Sequence, residues 1–198
     1  MKILFIITAS IAIKKINEIL KELSLKEIKV DCILTDNALK MIDIKKLKKI
    51  IKGKIYTNKS EKNNKMLHIK LTRKNNLIVL CPATANMIAK FANGFADDLA
   101  STSLIASNKQ IVVIPAMNSE MWNNPINKKN VSILIKAGIE FIGPEYGRLS
   151  CGEIGLGRLS KPKKINKSLT EYLNNTQIFR NKNCLITAGP TIEPIDDI

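Results

Sequence analysis

Three side chains stand out for the chemistry they could do. His68 is the only imidazole among 198 residues, which makes it the default proton donor or acceptor near neutral pH. Asn118 lies in Pro115-Ala116-Met117-Asn118-Ser119-Glu120-Met121-Trp122, a segment with one amide, two thioethers and the chain's single Trp. It follows the apolar run 111–114, which reads as a buried strand that Pro115 should end, having no N–H for a ladder. Open α/β sheets bind ligands at the carboxyl ends of their strands. The segment therefore reads as one wall of a site, with Asn118 offering an amide N–H and Met117 and Met121 an apolar lining. Cys151 lies in residues 143–159, a stretch with five glycines and no periodicity. Long aperiodic loops in compact domains are lids, binding loops or disordered segments. A thiol next to Gly152 in such a loop is better placed to react than to fill a core. Each residue also has a plainer account: a His packed at a helix start, an Asn that stabilises a turn after proline, and an inert loop thiol.

The elements that must position these groups alternate along the chain. Residues 2–8 form an apolar strand, residues 10–22 a helix with Ser10 as its N-cap, and residues 28–34 a second strand. That order predicts a parallel sheet with helices on both faces. The turn Thr8-Ala9-Ser10 sits at a helix N-terminus, where backbone N–H groups suit a phosphate. It lacks the glycines of a dinucleotide fingerprint. Residues 45–54 read as an amphipathic helix, 57–65 as a mobile Asn/Lys-rich connector and 68–73 as a short helix. Residues 77–80 form a third strand, stopped by Pro82, and a small-residue helix spans 83–93. Helix 127–137, capped by Gly138, precedes a strand at 139–142. A closing helix spans 163–173, and a new strand begins at 182–187.

Composition narrows the function. The formal net charge is +15, yet the basic residues are nearly all Lys, with Arg only at 73, 148, 158 and 180. Aromatics make up 5%. Nucleic-acid surfaces favour Arg for bidentate contacts and interleave aromatics for stacking, so nucleic acid is not the expected partner. An anionic small substrate would profit from the positive field. No apolar run reaches the ~18–20 residues of a membrane span. Cys32, Cys81, Cys151 and Cys184 form no C-x-x-C pair, so no metal site is expected and reduced thiols in the cytoplasm fit best.

Several segments, in order, resemble a known family. They are Ser10-Ile11-Ala12; His68-Ile69 with Leu71; Pro82-Ala83-Thr84-Ala85-Asn86 with Ile88-Ala89-Lys90; Asn93-Gly94 with residues 96–99; Pro115-Ala116-Met117-Asn118 with Met121-Trp122; and Cys151-Gly152-Glu153 with Gly155 and Gly157-Arg158. Together they resemble the homo-oligomeric flavin-containing cysteine decarboxylases, nearest to the decarboxylase half of the bifunctional phosphopantothenoylcysteine decarboxylase/synthase enzymes of coenzyme A biosynthesis. The resemblance covers residues 1–175. Residues 185–196 look like the opening of the synthase half, so 176–198 would be a linker and the truncated start of a ligase domain, without ligase activity. Three positions depart from the family pattern: Ala9 where Gly is usual, Lys14 where Tyr is common, and Glu153 where Asp is common.

The resemblance implies a doubly wound, Rossmann-like flavoprotein that decarboxylates 4′-phosphopantothenoylcysteine to 4′-phosphopantetheine with FMN, as a homotrimer or a multiple of trimers. The cysteine carboxylate needs an electron sink. Oxidation of the thiol by FMN gives a thioaldehyde, CO2 leaves to give an enethiolate, and the reduced flavin then saturates it. His68 would be the base of the first half-reaction. Asn118 would hold the substrate carboxylate, with Met117 and Met121 beside it. Cys151 would return a proton, and Arg158 would fix the lid or meet the substrate phosphate. FMN would place its phosphate near Ser10 and Thr35 and its ring against Ala83, Thr84, Ala85 and Asn86. The runners-up are a flavin prenyltransferase-like enzyme, which does not pair a Pro-x-Met-Asn segment with Cys-Gly, and a non-catalytic regulatory subunit, which would have lost the His or the Cys.

Overall fold

Strand β1 (Lys2–Ile7) is buried at every position after Lys2. A strand apolar on both faces belongs in the middle of a sheet covered on both sides. The structure, a computed structural model, describes residues 1–62, 64–175 and 189. After β1, a 3-10 helix (Ile11–Lys15) leads into α1 (Ile16–Leu25), whose Ile16, Ile19, Leu20 and Leu23 form one buried stripe. Strand β2 (Lys29–Leu34) follows, then α2 (Asp36–Leu39), α3 (Ile44–Ile50), β3 (Ile55–Tyr56), α4 (Asn58–Lys62), α5 (Leu67–Lys74) and β4 (Leu77–Ala83). The remainder is α6 (Ala85–Ala92), α7 (Leu99–Ile105), β5 (Ile111–Pro115), α8 (Ser119–Asn123), α9 (Pro125–Lys136), β6 (Glu140–Phe141), β7 (Glu145–Arg148), β8 (Ile154–Arg158) and α10 (Pro162–Asn175).

The main sheet is parallel throughout, in the order β3-β2-β1-β4-β5-β6. This is the doubly wound, Rossmann-like order, and its topological switch falls between β1 and β4. The two faces of β1 feed two cores. Ile3, Phe5 and Ile7 pack with α1, α3 and α10 through Leu20, Leu47 and Leu169. Leu4 and Ile6 pack with α5, α6, α7 and α9 through Leu71, Ile88, Leu104 and Leu134. One carboxylate enters this interior. Asp31 is 3% exposed, and it accepts the Lys54 N–H at 2.8 Å and pairs with Lys74 Nζ at 2.8 Å.

The structure corrects three expectations, on Pro82, the 57–65 connector and residues 143–159. Pro82 does not stop its strand: β4 runs on to Ala83, with a register shift between Leu80 and Ala83. Pro115 does end its strand as expected, standing as the last residue of β5 opposite Ala83. The connector at 57–65 contains helix α4, because Asn58 pins it at both amide atoms. Residues 143–159 are an antiparallel hairpin rather than an aperiodic loop. Their alternation was hidden because the hairpin packs through glycines instead of side chains. The expected strand at 182–187 lies outside the described residues.

Candidate active site

The same local rule acts at four strand ends. A short side chain with a free acceptor, placed after an apolar strand, caps the helix that follows. Ser10 Oγ accepts from Ala12 N–H at 3.4 Å after β1. Thr35 Oγ accepts from Ala38 N–H at 3.4 Å after β2. Thr84 Oγ accepts from Met87 N–H at 3.4 Å after β4, and Asn118 Oδ1 from Met121 N–H at 2.8 Å after β5. Since β2, β1, β4 and β5 are neighbours, these turns line one edge of the sheet. Two hydroxyls stitch the edge together. Thr8 Oγ1 donates to Pro82 O at 2.5 Å, and Ser10 Oγ to Ala116 O at 3.3 Å.

The cap fixes which way Asn118 faces. Its oxygen is taken by the Met121 N–H, so its Nδ2 is left as a donor. That nitrogen lies 3.5 Å from Glu153 Oε2, which also accepts from Cys151 Sγ at 3.4 Å. The hairpin brings Cys151 and Glu153 there. A two-stranded hairpin is marginal alone, and this one is seated on the Asn118 turn. Met117 N–H donates to Gly157 O at 3.0 Å, Gly155 lies against the Ser119 side chain, and Gly157 against the Met117 and Asn118 backbone. Leu149 and Leu159 are buried at the ends of its two arms.

Between this hairpin and the 3-10 helix lies a cleft of about 710 Å³. It brings together Ser10, Met117, Asn118, Cys151 and Arg158 of the residues singled out in the sequence. Its lining also includes Lys14, Lys15 and Arg148, and no carboxylate; Glu153 stands at its rim. Arg158 is committed within the hairpin. It pairs with Glu145 at 3.5 Å and its guanidinium lies over Gly147.

Other predicted residues lie apart. Thr35 and residues 83–86 sit on the same edge but do not line the cleft. Ala83 is fully buried at the end of β4, so Thr84, Ala85 and Asn86 are the accessible part of that turn. Met121 is 48% exposed on α8. His68 also stands outside the cleft, in the first turn of α5, with its Nδ1 in contact with Glu61 Oε1. Glu61 escaped the sequence reading because it lies in the Asn/Lys-rich stretch, seven residues before its partner. Among the described residues, the thiols of Cys32 and Cys81 are buried while Cys151 is exposed. Burial pushes the Cys32 thiol far above the ordinary range, with a further push from Asp31, and burial alone does the same to Cys81. Among the described residues, no group of three or more His, Cys, Asp or Glu side chains could hold a metal ion. No described helix is long and apolar enough to cross a membrane.

The donor set fits FMN. A flavin phosphate calls for N–H donors, which the Ser10 and Thr35 turns supply at helix starts; the two hydroxyls already donate to Ala116 O and Ile7 O. A flat ring calls for a seat without bulky side chains, and the accessible part of the 84–86 turn opens with Thr84 and Ala85, both half-buried.

Comparisons with known proteins point the same way. The flavoprotein family model matches residues 1–174. The coenzyme A biosynthesis bifunctional protein CoaBC of Bacillus subtilis is 34% identical over 200 residues, covering 99% of this chain and 49% of the relative. CoaBC of Borreliella burgdorferi is 41% identical over 171 residues, covering 86% and 44%. The chain thus spans about half the length of these curated relatives. Among solved structures, a cysteine-to-serine mutant of PPC decarboxylase complexed with pantothenoylaminoethenethiol superposes with a TM-score of 0.80 at 28% identity, over 87% of this chain and 98% of that one. The FMN binding protein AtHal3 gives 0.78 at 30% identity, over 88% and 97%. With a doubly wound sheet, N-capped turns along its carboxyl edge and a family match over nearly all of its described length, the chain belongs to the flavoprotein family.

Proposed function

We propose that residues 1–175 form an FMN-dependent decarboxylase that converts 4′-phosphopantothenoylcysteine to 4′-phosphopantetheine. The observation that carries this reading is the meeting of Asn118 and Cys151 in one cation-lined cleft beside turns fit for a flavin. Relatives named for coenzyme A biosynthesis and a structural neighbour named PPC decarboxylase support it.

Asn118 Nδ2 donates to the substrate carboxylate, which takes the place that Glu153 holds on that nitrogen here. Met117, against the Asn127 amide at 3.6 Å, supplies an apolar wall. An amide and apolar neighbours hold a carboxylate without the water that would stabilise its charge, and loss of CO2 disperses that charge. FMN, when bound, supplies the electron sink: two electrons leave the substrate thiol carbon before CO2 departs and return afterwards. Cys151 Sγ–H then returns a proton to the product. His68 is the base for the opening step. It lies outside the cleft that holds Asn118, so we place the two in one working site through assembly of a homotrimer or a multiple of trimers. Residues 176–198 would be the linker and the truncated start of a ligase domain, without ligase activity of their own. A cytoplasmic location is part of the same reading.

The test is direct. The purified chain loaded with FMN is given 4′-phosphopantothenoylcysteine, and CO2 and 4′-phosphopantetheine are measured. Bound flavin with neither product would overturn the proposal. Cys151→Ser should still release CO2 but accumulate the oxidised or enethiol product.

A further inference from the structure

Glu61 has no part in the reading above, yet it holds the chain's only imidazole. The His68 Nδ1–Glu61 Oε1 contact is between half-buried groups, with side chains 23% and 27% exposed. It is also a built contact. Glu61 rides on α4, and Asn58 pins that helix from both atoms of its amide. Asn58 Nδ2 donates to Asp36 Oδ2 at 3.0 Å on α2, and Asn58 Oδ1 accepts the Leu99 N–H at 3.0 Å on α7. Ser60 Oγ closes the turn by accepting from Thr57 N–H at 3.0 Å. The chain then doubles back into α5 through Met66 at φ 61°, ψ 31°. A non-glycine residue in the left-handed region costs about 1–3 kcal/mol and persists only where its surroundings impose it. Three elements and one strained residue thus serve to lay a carboxylate against His68.

A carboxylate can only accept, so Nδ1 must carry the hydrogen, and the neutral ring then has its lone pair at Nε2. We propose that Glu61 is a positioning residue for His68. It fixes the Nδ1–H tautomer and the ring plane, and presents Nε2 as the base. In the opening step the substrate S–H bond breaks, an N–H bond forms at Nε2, and the sulfur keeps the electron pair as thiolate. Glu61 stays a carboxylate and no electrons are transferred. The role in turnover rests on the decarboxylase reading; the tautomer does not.

Because His68 is the only histidine, long-range 1H–15N correlation spectra of untagged, FMN-loaded protein show one imidazole, and its tautomer is read without ambiguity at a pH where the ring is neutral. The expected wild-type spectrum is that of the Nδ1–H tautomer. Glu61→Leu, which removes the acceptor, should shift it toward the Nε2–H form, and Glu61→Asp should keep the wild-type form. In turnover, Glu61→Leu should lower kcat by about 10–100-fold, part of the 10²–10⁴ that a general base contributes, with KM within about twofold and flavin content unchanged. Glu61→Asp should recover part of the loss. An Nε2–H ring in the wild type, or a spectrum unmoved by Glu61→Leu, which leaves no acceptor at that position, overturns the proposal whatever the activity. A shifted tautomer with unchanged kcat overturns the role in turnover. A wild-type protein that makes no product, with the expected tautomer, overturns the decarboxylase reading and leaves the positioning of His68 standing.

Discussion

Replacing Gly157 by alanine should disable the Cys151 loop while sparing the sheet. Gly157 sits where β8 touches the Asn118 turn, and its carbonyl takes the Met117 N–H at 3.0 Å. A Cβ there would collide with Met117 O and lie 3.2 Å from Asn118 C and 3.3 Å from Asn118 O. All three are backbone atoms, so no side chain can swing away. The φ of +155° adds conformational strain of about 1–3 kcal/mol, and overpacking adds about 1–3 kcal/mol more. A total of about 2–6 kcal/mol falls on a two-stranded hairpin, which cannot bear it and lifts from the turn. The main core, which does not pass through Gly157, stays intact, so Tm should fall by less than about 5 °C. A shift of the Cys151 loop on the order of 1 Å costs about 10²-fold in rate. The assay is kcat/KM for product formation from 4′-phosphopantothenoylcysteine, with flavin content and Tm alongside. Gly138→Ala is the control. Its φ is +82° and a Cβ there meets nothing within 4 Å, so it should lower Tm through strain alone and leave turnover unchanged. Wild-type turnover in Gly157→Ala would refute the argument that this close approach seats the loop.

Asn118→Asp separates the cap from the clamp: aspartate caps as well as asparagine, so Tm should move little, while a carboxylate facing the substrate carboxylate should cut kcat/KM by about 10²–10³-fold. Near-wild-type turnover with unchanged Tm would show that the amide donor is not used. In a Cys184→Ser background, a thiol reagent should modify one cysteine in the native protein and three in denaturant, and Cys151→Ser should abolish the native reaction; rapid native modification of Cys32 or Cys81 would contradict their burial. Asp31→Asn should lower stability by about 2 kcal/mol, the loss of hydrogen bonds to a charged acceptor, read from denaturant midpoints. Burial alone pulls the Lys74 ammonium down, but its hydrogen bonds to Asp31 and Tyr56 outweigh this and raise it above the ordinary lysine value. The stability from this raised group is fully present below the unfolded lysine value and is lost as pH rises through the folded one, so the gap between wild type and Asp31→Asn should close in the alkaline range.

The strands and the turns that follow them were legible in the sequence wherever the chemistry is local. Mostly apolar runs at 2–8, 28–34 and 77–80 announced parallel strands, because a strand buried on both faces is near-continuously apolar; Asp31 in β2 is an exception, paired with Lys74. Ser10, Thr35 and Asn118 were legible as strand-end residues, because a capping side chain acts on its own next turn; Thr84 was read inside helix 83–93 and is instead the N-cap of α6. The Pro-x-Met-Asn and Cys-Gly segments pointed to each other through resemblance. Contacts between distant segments were not legible. Glycine spacing in residues 143–159 carries no hydrophobic period, so a hairpin that packs through Gly155 and Gly157 looked like a loop. Nothing in the Asn/Lys-rich stretch marked Glu61 as the partner of His68; Asn58 does that only because α2 and α7 come to lie on either side of it. Arg158 looked free to meet a phosphate until the hairpin brought Glu145 across from it. Sequence alone thus determined which residues could do the chemistry and which turns would present them, because those choices depend on residue type and on neighbours a few positions away. Only the tertiary structure decided which donors are left over for a ligand, because each donor's availability depends on what another part of the chain has already taken.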